Sequence, residues 1–80
     1  MGIMLRLRNI KVSGNIVEAE YSPESSGVWG HISVDVNNEE IIHSEEVSGY
    51  SEFYRWHAFW KLIDIVKSHS DVKECIVMWY

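Results

Sequence analysis

Cysteine occurs once in the 80 residues, as Cys75, so no internal disulfide can brace the chain and a stapled secreted scaffold is excluded. No apolar signal segment follows Met1, and no stretch of about 20 apolar residues is present to cross a bilayer. These absences lead to the expectation of a cytoplasmic protein. Proline also occurs once, and there are no low-complexity tracts or internal repeats. Positive charge is scarce: seven Lys and Arg against twelve Asp and Glu leave a formal charge of −5. Nucleic-acid binding draws its affinity from Lys and Arg displacing counterions, so that class is disfavoured, and membrane surfaces with it.

Hydrophobic residues make up 46% of the chain, the balance of one small globular domain over residues 1–80. A domain of this size buries only about 60–65% of its unfolded surface, so nearly every apolar element must share one core. The charge is unevenly placed. Between Lys11 and Arg55 there is no Lys or Arg, while Glu18, Glu20, Glu24, Asp35, Glu39, Glu40, Glu45, Glu46 and Glu52 all fall there. Such a run is either a solvated face or an acidic binding face.

Ile3, Leu5 and Leu7 alternate with Met4, Arg6 and Arg8, the period-2 pattern of a strand with one wet face. Ile10 and Val12 then carry the apolar set on even numbers, so either a polar side chain turns inward or, the reading favoured, the strand has a bulge near Arg8 and Asn9. A two-residue turn at Gly14-Asn15 pairs Val12 with Val17 and Ile10 with Ala19 on one face, and Lys11 with Glu18 on the other. The second strand runs from about Asn15 to Tyr21 and ends in the loop residues Ser22 to Gly27. A third strand alternates Val28, Gly30, Ile32, Val34 and Val36 against Trp29, His31, Ser33 and Asp35. Asn37-Asn38 turns the chain into a short fourth strand, Ile41 to Glu45, in a register that sets Asp35 opposite Glu40.

From Ser51 the period becomes 3.6. Ser51 is the expected N-cap and Glu52 suits the positive end of the helix dipole, giving a helix to about Ser68. Its core stripe is expected to be Trp56, Phe59, Leu62, Ile63 and Val66. Lys73 to Tyr80 is apolar on both faces and reads as a fifth strand, either interior or at an edge that another chain covers. The fold class is therefore α+β: a four-stranded antiparallel meander, one helix packed on one sheet face, and a fifth strand.

Chemistry-bearing motifs are few. His31, His43, His57 and His69 show no helical zinc spacing, there is no second Cys, and no calcium-loop pattern occurs, so no metal and no cofactor are expected. Cys75 lies in an apolar strand where burial keeps a thiol inert. No serine stands in a Gly-x-Ser-x-Gly elbow, and no glycine-rich loop opens a helix to cradle phosphate. Glu39-Glu40 and Glu45-Glu46 are adjacent pairs that point apart on a strand, so an enzyme is not expected.

Four Trp, four Tyr and two Phe are more large rings than one helix stripe and one sheet face need, and interfaces are enriched in Trp and Tyr. The function expected is a non-catalytic protein-interaction module. Its candidate surface is Glu39, Glu40, Glu45, Glu46, Trp29, His31, Asp35, Trp60, Trp79 and Tyr80, meeting a basic protein partner or a second copy as a homodimer. The alternative is a small-ligand or metal-binding domain using Trp29, His31 and Asp35 on the open sheet face.

Overall fold

Each period-2 run forms a strand and the 3.6-period run forms a helix, in the order β1 (Ile3–Ser13), β2 (Ile16–Pro23), β3 (Gly30–Asp35), β4 (Glu40–Glu45), α1 (Phe53–Lys67) and β5 (Cys75–Trp79). The computed structural model describes residues 3–50 and 52–79, with Ile3 and Trp79 given by backbone alone. β1 to β4 are an antiparallel meander, and β5 returns antiparallel to β1, so the spatial order is β4-β3-β2-β1-β5. The helix packs on one face of this sheet. This is the expected β-β-β-β-α-β architecture.

The first hairpin has the expected register, Val12 opposite Val17 and Lys11 opposite Glu18. Gly14 takes φ 61° at the first turn position, as a type II′ turn requires. The register shifts between Arg8 and Lys11, and Asn9 sits at φ 53°, which is the bulge that the phase change implied. It swings Ile10 onto the helix face, where it is buried beside Ala19. Val12 is a correction: it pairs as expected but is 53% exposed. Val12 borders an open hollow with Val66 and His69 at the C-terminal end of the helix.

β2 continues through Ser22 and Pro23, which pair with Arg6 and Leu5, two residues that composition assigned to a loop. Pro23 is tolerated because β3 reaches only as far as Tyr21, so its missing N–H points to a side with no strand. The segment that follows is tied down: the Glu24 carboxylate accepts from Met4 N at 2.7 Å and from the Tyr54 hydroxyl at 3.2 Å. β4 opposes β3 with Asp35 across from Glu40, and its register shifts between Ser33 and Val34, where Ile42 is the extra residue.

The core is Leu5, Leu7, Val17, Ile32 and Val34 of the sheet against Ala58, Phe59, Leu62, Ile63 and Ile65 of the helix, all buried. Each large aliphatic or aromatic member stabilises the fold by about 1.5–3 kcal/mol. The expected stripe is rotated by roughly 50° at 100° per residue: Ala58 and Ile65 join it, and Trp56, 41% exposed, leaves it. Ala58 is fully buried against the sheet, while Trp56 keeps an edge contact with Phe59. Ser51, the expected N-cap, lies outside the described residues. At the other end Ser70 N donates to Ile65 O and His69 N to Val66 O, with His69 at φ 55°, a Schellman motif with histidine in the left-handed position.

Candidate interaction surface: the groove between β4 and α1

The main packing of α1 is on β1, β2, β3 and β5, and its flank lies beside the β4 edge without close packing along it. Between the two lies an open groove of about 400 Å³, lined by Glu39, Glu40, Ile41, Ile42, Arg55 and Trp56. The bulge turns Ile42 outward, leaving it 53% exposed. Trp56 faces it from the helix. Buried Phe59 holds both neighbouring indoles edge-on, at 5.6 Å from Trp56 and 4.9 Å from Trp60, so packing restricts both rings. Trp60 and Phe53 continue the exposed aromatic row along the outer flank of α1. Stacked edge-to-face rings of this kind are low-entropy contact surfaces.

The acidic segment does not stand alone on this surface. Lys67 Nζ meets Glu39 Oε1 at 2.8 Å, and Arg55 pairs with Glu46 and with Glu52. The Arg55 Nε is buried without a hydrogen-bond partner among the described residues. Glu45 lies 3.6 Å from the His43 ring nitrogen. Glu40 has no ion pair or side-chain hydrogen bond among the described residues. Two helix cations, Lys67 and Arg55, thus offset part of the one-signed field, Arg55 being shared by Glu46 and Glu52, while Glu40 and Glu45 have no Lys or Arg partner among the described residues.

Trp29, His31 and Asp35 sit on the open face of the sheet, which Glu45 and Glu40 share as the cross-strand partners of His31 and Asp35, and each has partners of its own. Arg8 stacks 3.7 Å over the Trp29 ring and bonds Glu20 at 3.1 Å. Glu20 is held below the usual carboxylate range by bonds from Asn9 and Arg8. His31 approaches Glu18 at 3.8 Å and the His43 ring at 5.9 Å. Asp35 accepts from Asn15 Nδ2 at 2.9 Å and from the backbone and side chain of Asn38, and these bonds, that from the Asn38 backbone foremost, hold its carboxyl below the usual range. They also offset its repulsion from Glu40 across the strands. Trp29 is thus engaged by Arg8, His31 by Glu18 and His43, and Asp35 by Asn15 and Asn38. Among the described residues no group of three or more His, Cys, Asp or Glu has metal-holding geometry. The Trp79 side chain and Tyr80 lie outside the described residues. Cys75 faces the helix side of β5, and burial pushes its thiol up.

Sequence reasoning found Glu39 and Glu40 through their charge but missed Trp56 and Ile42. The available signal was the i, i+3, i+7 row Phe53, Trp56 and Trp60, a second apolar stripe on a helix that already had one. Among the described residues no helix is long and apolar enough to cross a membrane. No family model, curated protein or solved structure matches the chain, so its function is read from its own geometry.

Proposed function

We propose that this protein is a non-catalytic interaction module whose β4–α1 groove takes an apolar, positively charged segment of a partner protein. The observation that carries this reading is the pair of exposed apolar side chains, Ile42 and Trp56, facing each other across a groove rimmed by Glu39 and Glu40. Trp56 and Ile42 would supply most of the affinity, since tryptophans in such positions are worth about 2 kcal/mol or more when truncated. The rim carboxylates would act on the encounter rate and on partner choice, rejecting acidic segments and losing their effect as salt screens them.

The test is selection from a random peptide display library on the immobilised protein. Enriched peptides should combine Lys or Arg with a large apolar residue, and should lose binding to Trp56→Ala and association rate to Glu40→Lys. Enriched peptides that bind Trp56→Ala as well as the original protein would refute the groove.

A further inference from the structure

The two edges of the sheet are built differently. β4 carries Glu40, His43 and Glu45 and a bulge at Ile42, the devices by which natural edges discourage pairing. β5, the other edge, reads Cys-Ile-Val-Met-Trp, with no charge, no proline and an unbroken register against β1. Ile76 and Met78 are 58% and 59% exposed on its open face. By the same reasoning that explains β4, β5 is an edge left open to a strand.

The hydrogen-bond phase fixes which strand fits. Glu24 N donates to Met4 O, so Met4 and Arg6 direct their amide groups to β2, and Leu5 and Leu7 direct theirs to β5. Leu5 opposes Val77 and Leu7 opposes Cys75. Cys75 and Val77 therefore spend their backbone groups on β1, and the N–H and C=O of Ile76 and Met78 point outward. We infer that β5 pairs antiparallel with the β5 of a second copy, about a two-fold axis through Val77. In that register Ile76 of one copy opposes Met78 of the other, and each exchanges both hydrogen bonds with its counterpart. An axis through Ile76 also aligns outward groups but sets Glu74 against Met78, and an axis between residues joins outward groups to spent ones. The Val77 axis matches hydrogen bonds and apolar side chains over all five residues of β5, whereas an axis through Met78 overlaps only Val77–Trp79 of that strand. The self-complementary strand is what selects a second copy over an unrelated peptide, and an isologous contact of this kind closes as a dimer. Because the axis is perpendicular to the sheet, it doubles the sheet and leaves both helices on the same side.

This interface is separate from the β4–α1 groove, at the opposite edge. Sedimentation equilibrium of the whole protein from about 10 µM to about 1 mM, the range suited to a short strand contact, tests it. The apparent mass should rise toward twice the monomer, with amide exchange at Ile76 and Met78 slowing in parallel. Met78→Pro removes an outward donor without touching the β1 ladder, and Ile76→Lys places a charge on the edge; both should stay monomeric while retaining the circular dichroism of the fold. If Met78→Pro fails to fold, Ile76→Lys alone decides. Trp56→Ala should dimerise unchanged. A monomer at every concentration, undiminished association of Ile76→Lys, or loss of association in Trp56→Ala would each overturn the inference.

Discussion

Adding one methyl group at Gly30 should cost more than its size suggests. Gly30 opens β3 opposite Tyr21, and a Cβ built there falls 2.3 Å from the Glu45 carbonyl oxygen and 2.9 Å from Tyr21 Cε1. Neither neighbour can give way cheaply. The Tyr21 ring is 2% exposed, so moving it would disturb the packed core around it. Glu45 O is main chain, in the His31–Glu45 pair that closes one end of the β3–β4 ladder. Overpacking costs about 1–3 kcal/mol, and contact with backbone puts this case at the upper end. Restricting the unfolded chain returns about 0.4–1 kcal/mol, so Gly30→Ala should destabilise by about 2 kcal/mol. For a domain of this length that lowers Tm by roughly 8–16 °C. Urea unfolding followed by tryptophan fluorescence reads the loss, and amide exchange should show it concentrated in β4. An unchanged or raised midpoint would mean that β3 and β4 are not packed as described.

The rotated helix face predicts opposite outcomes for two substitutions. Ile65→Ala, at a buried site, should cost about 2–5 kcal/mol, whereas Trp56→Ala should cost under about 1 kcal/mol; the reverse order in urea unfolding would restore the narrower stripe. His69→Gly should stabilise by about 1 kcal/mol, because the left-handed position at the helix end strains any side chain, and a lower Tm would count against the Schellman motif. Asp35 has a depressed folded pKa, so the stability it contributes is complete above the ordinary carboxylate pKa and is lost as pH falls through the folded value. The urea midpoint should therefore fall on acidification below the ordinary carboxylate pKa of about 4, and less steeply in Asp35→Asn; identical slopes would show the Asn15 and Asn38 bonds to be inconsequential.

The first hairpin was legible because two signals agree: the apolar set changes phase at Asn9, and Gly14-Asn15 admits one register that satisfies both faces. The meander and the returning strand followed from periodicity in the same way. The helix rotation was not legible, since Phe53, Trp56 and Trp60 make the helix apolar nearly all round and leave 3.6-residue periodicity without a unique answer. The bulge at Ile42 hid behind Ile41, because two adjacent isoleucines carry no alternation. The acidic segment was read correctly as charge but not as a field. Lys67 lies 28 residues from Glu39 in sequence, and only the placement of α1 beside β4 brings them together. The candidate groove was half visible for the same reason: its carboxylates are local, its apolar walls are tertiary.

The groove itself is tested most directly by chemical-shift mapping of the isotope-labelled protein with a peptide that joins Lys and Arg to a large apolar residue, drawn from the selection described above. The account predicts shifts at Glu40, Ile42, His43 and the Trp56 indole, saturating with added peptide and weakening as salt is raised. Shifts confined to the open face around Arg8, Trp29 and His31, or none at all, would contradict it.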